Sequence, residues 1–98
     1  MGKDKGQVMK RIKAIAKGRV QGVGYRAAVQ SRLEALGVTG YVKNLPDGTV
    51  EIVVEGEQGD VERAMDESRK GSAMSSVTSM EMEEQNPSGE FAAFEISR

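Results

Sequence analysis

The spacing of apolar residues differs between residues 9–17 and the segment that begins at Tyr25. Residues 9–17 alternate between apolar and mostly charged positions, and this period of two predicts a strand. From Tyr25 onward, apolar residues recur at three- and four-residue spacing and predict a helix. Gly37 follows and suits the left-handed position that ends a helix. The stretch 18–24 between strand and helix carries three glycines and predicts a loop.

A hairpin is predicted next. Residues 40–44 and 49–55 both favour strands, and the second alternates valine and isoleucine with glutamate over most of its length. The four residues between them, Leu-Pro-Asp-Gly at 45–48, favour a tight turn. Proline presets φ for a type I turn, and the glycine can take the positive φ that follows it. The two strands are therefore expected to pair antiparallel.

The rest of the chain predicts one more helix and two strands. A weak apolar face predicts a helix over 58–70, and a strand follows over 77–83. Turn residues at 86–89 separate it from a last short strand around 94–96. This order favours an α+β fold, a ferredoxin-like α/β sandwich. It would have an antiparallel sheet of four to five strands with two helices on one face.

Composition restricts the chemistry. The 98 residues contain no Cys, no His and no Trp. Disulfides, thiolate or imidazole metal sites, and nucleophiles that rely on Cys or His are therefore excluded. Any reaction must use Arg, Lys, carboxylates, hydroxyls, amides, backbone dipoles or an added metal.

Charge is uneven along the chain. Residues 1–49 hold ten Lys/Arg against three Asp/Glu, and residues 50–98 hold four against twelve. This asymmetry permits anion binding, but it also fits halves that interleave and cancel. No apolar run is long enough to cross a membrane, and no signal peptide opens the chain. We expect a polar, mobile tail at 1–7, a single domain at 8–98, and a monomer in the cytoplasm.

The most informative stretch joins the first strand to the first helix. It reads Gly18-Arg-Val-Gln-Gly-Val-Gly-Tyr-Arg26. A glycine-rich loop before a helix N-terminus presents unpaired amides and the positive end of the helix dipole to an anion. The guanidinium of Arg26 can donate two parallel N–H groups to phosphate oxygens. The alternatives are a turn whose glycines serve packing alone, with Arg26 solvated, and a dinucleotide site. The following hairpin and the short chain disfavour the second alternative.

Asn44 is a second candidate. Asparagine is a poor strand residue, and this one ends a strand just before the tight turn. It could cap the hairpin through an Asx turn. Its amide could instead face a ligand or a water molecule. The local sequence leaves both interpretations open.

Together the two segments resemble the acylphosphatase family. Its signature is Gly-x-Val-Gln-Gly-Val-x-Phe-Arg, followed by Gly-aromatic-x-x-Asn-x-x-x-Gly-x-Val and a further glycine. Here the second motif reads Gly40-Tyr-Val-Lys-Asn44-Leu-Pro-Asp-Gly48-Thr-Val, with Gly56 at the right interval. The last strand, with Phe94 and Ile96, is also similar to that of the family. The family fold is the sandwich that the hydrophobic pattern predicts.

The resemblance implies hydrolysis of the carboxyl–phosphate bond of small acyl phosphates, with inorganic phosphate as product, and we therefore expect no metal and no cofactor. It implies that Arg26 grips the phosphoryl group and that Asn44 orients the attacking water. The implied phosphate-binding loop consists of Gln21, Gly22, Val23, Gly24, Tyr25 and Arg26. An activated substrate of this kind needs positioning more than acid–base help, and this suits a chain without histidine.

Some residues depart from the family pattern. Tyr25 stands where Phe is most frequent, and its hydroxyl needs a partner. Ala16 replaces a larger aliphatic residue, and Ser72 stands where Pro is usual. The rival function is a non-catalytic module that binds phosphate or RNA on the same fold. An RNA platform needs aromatic residues on the open sheet face, and only Tyr41 is a plausible one. We therefore expect no nucleic-acid partner.

Overall fold

The computed structural model describes residues 8–97, which form five strands and two helices. Each predicted element is present, and its bounds lie within two residues of the prediction. The tail predicted for residues 1–7 lies outside the described residues, as does Arg98. In chain order the elements are β1 (Met9–Arg19), α1 (Tyr25–Ala35), β2 (Thr39–Asn44), β3 (Val50–Glu57), α2 (Gln58–Lys70), β4 (Ser76–Gln85) and β5 (Phe94–Ser97).

The strands form one sheet in the order β4-β1-β3-β2-β5. The prediction of a wholly antiparallel sheet is wrong at one edge, because β5 runs parallel to β2 while the other pairs are antiparallel. The chain leaves β4 at the opposite edge and crosses the sheet through residues 86–93. It then enters β5 from the end at which β2 begins. This direction of entry makes β5 parallel to β2.

Both helices pack on one face of the sheet, as predicted. Their buried side chains form one cluster with the inward-facing residues of the strands, and this confirms the ferredoxin-like α+β class. The helical members of the cluster are Tyr25, Val29, Leu33, Val61, Ala64 and Met65. The strand members include Ile12, Ala14, Ala16, Val42, Val50, Ile52, Val54 and Phe94.

The crossing segment 86–93 is fastened to the other face of the sheet by Glu55, which is 3% exposed. Its carboxylate accepts hydrogen bonds from the backbone amides of Ser88 and Gly89, both at 2.9 Å, and from Arg11 Nη1 at 2.7 Å. Burial alone would raise the pKa of Glu55, but these donors, together with the Ser88 hydroxyl at 3.0 Å, favour the charged form more and lower that pKa to about 2. The Glu55 carboxylate therefore anchors segment 86–93, which leads to β5.

The end of β1 depends on one glycine. The pairing of β1 with β4 shifts register between Lys17 and Gly18 and then continues to Arg19, beyond the predicted end of the strand. Gly18 has φ of 124°, and a Cβ there would lie 2.2 Å from the carbonyl oxygen of Ser76. Only glycine fits this close approach. After Arg19 the chain leaves the sheet and leads to the start of α1.

Candidate active site

Residues 20–24 connect β1 to α1. Gly22 and Gly24 have φ of 75° and 78°, a left-handed conformation that glycine adopts without steric cost. A Cβ at either position would meet nothing within 4 Å, so backbone conformation rather than crowding explains these two glycines. Helix α1 begins after Gly24 with no side-chain cap. Its first N–H groups are therefore not covered by a capping side chain.

The backbone amides of this loop have no acceptor within the described chain. From Gln21 to Arg26, none donates a hydrogen bond to an atom of residues 8–97. The first turn of the helix adds the positive end of its dipole at the same place. Amides that lie in series at a helix N-terminus bind a phosphate-like anion. The local geometry is therefore that of an anion site.

Arg26 stands in the first turn of α1 and is half-buried. Within residues 8–97 it forms no ion pair and no side-chain hydrogen bond, and its guanidinium retains all its donors. It borders a cavity of about 170 Å³ beside the loop. The residues lining this cavity are Val20, Gly22, Gly24, Tyr25, Arg26, Ala27 and Ile96. Of the predicted loop residues, Gln21 and Val23 do not line it.

The side chain of Gln21 makes contacts that the sequence did not predict. Its side-chain Nε2 donates to the carbonyl oxygens of Leu45 and Thr49, both at 2.8 Å. These two residues flank the turn between β2 and β3, where the amide of Leu45 also donates to the carbonyl oxygen of Thr49 at 2.9 Å. The side chain of Gln21 therefore fastens the loop to the hairpin, and its backbone amide is the group that remains available to a ligand.

Asn44 ends β2 directly before Leu45, on the sheet face that carries the helices. In residues 8–97, its Oδ1 is the one buried side-chain nitrogen or oxygen without a hydrogen-bond partner. The alternative of an Asx turn is wrong for this residue. Asp47 makes that turn instead, because its Oδ1 accepts from the amide of Thr49 at 3.0 Å. A buried acceptor without a protein donor is costly unless a water or a ligand supplies the hydrogen bond.

Two further hydrogen bonds hold the loop and the start of α1 in place. The hydroxyl of Tyr25, which needs a partner in this buried position, donates to the carbonyl oxygen of Ser68 at 2.8 Å. Burial raises the pKa of Tyr25 to about 12, so the hydroxyl stays protonated as a donor. The hydroxyl of Ser72 donates to the carbonyl oxygen of Val23 at 2.8 Å. Both bonds join the loop to α2 and to the connection that follows it.

Sequence reasoning did not identify the side-chain role of Gln21, the contact of Ser72, or Ile96 as a wall of the cavity. The acceptors of the Gln21 side chain lie at least 24 residues away along the chain, and Val23, the acceptor of the Ser72 hydroxyl, lies 49 residues from Ser72. No local pattern reports such pairings. The parallel placement of β5, which brings Ile96 beside α1, was also not predicted.

No group of three or more His, Cys, Asp or Glu in residues 8–97 is arranged to hold a metal ion. Neither helix in this range has the length and apolar character needed to cross a membrane.

The chain is similar to known proteins over most of its length. The sequence profile of the acylphosphatase family matches residues 12–96. An acylphosphatase of Methylococcus capsulatus is 42% identical over 90 residues, which cover 92% of this chain and 98% of the relative. One of Syntrophobacter fumaroxidans is 50% identical over 80 residues, 82% of either chain.

A solved structure gives the same result in three dimensions. The crystal structure of acylphosphatase from Bacillus subtilis superposes with a TM-score of 0.87 at 33% identity. The superposition covers 93% of this chain and 100% of that one.

Proposed function

The chain belongs to the acylphosphatase family and is an enzyme of that kind, and we propose that its catalytic centre is the loop between β1 and α1. The substrates are small acyl phosphates, and the products are a carboxylate and inorganic phosphate. Arg26 grips the phosphoryl group, and Asn44 orients the attacking water. The observation that carries this proposal is the set of unpaired loop amides beside the cavity that Arg26 borders.

The loop amides are the main binding groups for the phosphoryl oxygens. Gln21 to Arg26 provide donors in series at the helix N-terminus, and the guanidinium of Arg26 adds two parallel N–H groups. Because the loop is bonded to the hairpin and to Ser72, these donors are oriented before substrate arrives. A preorganised donor of this kind contributes roughly 10²–10³ in rate.

Asn44 is proposed to hold the nucleophilic water. Its buried Oδ1 lacks a donor, and a water molecule can supply one. In the sheet register, Asn44 pairs with Val50 and Val50 pairs with Ala16, so Asn44 lies across from the end of β1. The hydrogen bond from Gln21 to Leu45 fixes the loop one residue away from Asn44. Asn44 does not itself line the cavity beside Arg26, and the proposal requires that a water on Asn44 reach the phosphoryl group from the hairpin side of the loop.

The proposed reaction needs no side-chain base. The water oxygen forms a bond to phosphorus, the bond from phosphorus to the carboxyl oxygen breaks, and the carboxylate leaves with the electron pair. The proton of the water passes to a phosphoryl oxygen. This assignment is motivated by the absence of histidine from the chain and of any carboxylate from the residues that line the cavity. A rate that depends on the titration of one Asp or Glu would contradict it.

The acyl group is proposed to lie against Ile96 and Ala27, the exposed apolar residues of the cavity. An engineered apolar cavity of about 150 Å³ is known to hold one benzene molecule. The cavity here, about 170 Å³, therefore takes a phosphoryl group together with a small acyl group. A larger acyl group, such as benzoyl, would extend past Ile96 toward solvent.

Hydrolysis of benzoyl phosphate, followed by absorbance with and without EDTA, tests the proposal. We expect turnover that EDTA leaves unchanged and that Arg26→Ala abolishes. Lys43→Ala provides a matched control, because Lys43 is a cation of β2 outside the cavity lining. Phosphate binding without any turnover by the parent chain would favour a non-catalytic module. Parental activity in Arg26→Ala would refute the role given to that residue.

We further propose that residues 8–98 act as a single domain, as a monomer, in the cytoplasm. Light scattering coupled to size-exclusion chromatography tests the oligomeric state. An active dimer that loses activity on dilution to monomer would contradict it.

A further inference from the structure

Ser72 makes a contact that nothing in the local sequence explains. It lies in the connection between α2 and β4, and its Oγ donates to the carbonyl oxygen of Val23 at 2.8 Å. The bond is partly buried and joins residues 49 apart in the chain. It therefore bridges the back of the phosphate loop to a distant part of the fold.

The direction of this bond determines the direction of the next amide. The peptide between Val23 and Gly24 is trans, so its carbonyl and its N–H point to opposite sides. With the carbonyl of Val23 turned to Ser72, the amide of Gly24 faces away from Ser72. Gly24 also lines the cavity that Arg26 borders. The carbonyl bond thus orients the Gly24 N–H as a donor.

Ser72 is itself held in place. Its amide donates to Ser75 Oγ at 2.8 Å, and that hydroxyl in turn donates to the carbonyl oxygen of Ser72 at 3.0 Å. The amide of Ser75 donates to the same carbonyl oxygen at 3.2 Å. These bonds lock the turn that presents the Ser72 hydroxyl. The hydroxyl therefore acts from a fixed position.

We propose that Ser72 is a positioning residue, which keeps the Val23–Gly24 peptide turned so that the Gly24 amide donates to the phosphoryl group. This inference rests on the proposed function. Glycine permits several backbone conformations, so a peptide that precedes one can rotate at small cost unless another group restrains it. A rotated peptide would present the Val23 carbonyl oxygen, which repels a dianion.

The test compares Ser72→Ala with Ser72→Thr and with Ser75→Ala. The threonine retains the hydroxyl, and the Ser75 variant loosens the same turn without touching Val23. One hydrogen bond corresponds to roughly a tenfold change in an equilibrium constant. We expect Ser72→Ala to lose about tenfold in kcat/KM for benzoyl phosphate and in affinity for inorganic phosphate. Ser72→Thr should recover most of the loss, and Ser75→Ala, which removes only support for the turn, should lose clearly less than Ser72→Ala.

A second measurement separates positioning from folding. The ¹⁵N–¹H signal of Gly24 should shift on addition of inorganic phosphate in the parent and in Ser72→Thr, and much less in Ser72→Ala at matched saturation. Equal phosphate affinity and equal Gly24 shifts in Ser72→Ala would overturn the inference, as would an equal loss in Ser75→Ala. If the parent binds phosphate but does not hydrolyse benzoyl phosphate, the proposed function fails, and the phosphate readouts still decide the role of Ser72.

Discussion

The side-chain amide of Gln21 lies 2.8 Å from the carbonyl oxygen of Leu45, to which it donates a hydrogen bond. Leu45 directly follows Asn44, so this contact couples the loop that offers amides to the strand end that carries the proposed water-binding residue. The same nitrogen also donates to the carbonyl oxygen of Thr49 at 2.8 Å. One side chain thus fixes the spacing between the two halves of the site.

Replacing Gln21 by alanine should reduce catalysis more than stability. The variant keeps its backbone amide but loses both bonds to the hairpin, and misplacement of reacting groups by about 1 Å can cost roughly 10² in rate. We expect kcat for benzoyl phosphate to fall about 30- to 100-fold with a small change in Tm. The control is Gln30→Ala, a glutamine of α1 with no side-chain hydrogen bond in residues 8–97. Equal effects of the two substitutions would contradict the coupling.

Asn44→Ala should inactivate the protein without destabilising it. The substitution removes a buried oxygen that has no partner in the folded chain, so its loss leaves no new unsatisfied group. We expect kcat to fall about 10²- to 10³-fold while inorganic phosphate still binds. The free energy of unfolding in urea should stay within about 0.5 kcal/mol of the parent or rise. A clear loss of stability would instead indicate a structural role for Asn44.

Glu55→Gln should destabilise the fold at neutral pH, and the difference should shrink as the pH falls toward 2.5. The folded-state pKa of Glu55 is lowered from 4.5 to about 2, so its stabilising effect is complete above the unfolded-state pKa. This effect is lost as the pH falls from about 4.5 through 2. At pH 7 we expect a loss of about 3 kcal/mol in the free energy of unfolding, because Arg11 also loses its buried partner.

Urea unfolding at pH 7, 4 and 2.5 measures this effect. Glu81→Gln is the matched control, since Glu81 pairs with Lys17 on the exposed surface and such pairs contribute little. A difference between Glu55→Gln and the parent that stays constant over this range would show that the charge of Glu55 is not what anchors segment 86–93.

Ile96→Ala should change the preference among acyl groups. Ile96 is 38% exposed in the wall of the cavity, and half-covering such a side chain contributes about 1 kcal/mol. We expect kcat/KM for benzoyl phosphate to fall about fivefold, that for acetyl phosphate to fall less than twofold, and inhibition by inorganic phosphate to be unchanged. Met82→Ala, at an exposed apolar residue of β4, is the control. Equal losses on both substrates would place the acyl group elsewhere.

Much of the fold follows from local patterns in the sequence. The alternation in β1, the helical spacing after Tyr25 and the Leu-Pro-Asp-Gly turn each specify their element, and Gly48 takes the expected positive φ of 91°. The parallel placement of β5 was not predictable in this way, because the path of residues 86–93 depends on Glu55 and its distant donors. Strand order is set by such long-range contacts.

In the candidate site, too, some features follow from the local sequence and others depend on distant contacts. Adjacent residues supply the loop amides and Arg26, so a motif identifies them. The fixed geometry comes from Gln21 and Ser72, whose partners are far along the chain. For Asn44 the sequence left two interpretations open, and the bonds made by Asp47 removed one of them.

The central claim is that the amides from Gln21 to Arg26, with the guanidinium of Arg26, bind a phosphoryl dianion. The most direct measurement is a crystal structure grown with inorganic phosphate. We expect one phosphate whose oxygens lie roughly 2.7–3.2 Å from several of these amides and from Arg26. A well-ordered loop without phosphate, at a concentration that inhibits the enzyme and with Arg26 turned to solvent, would contradict the account.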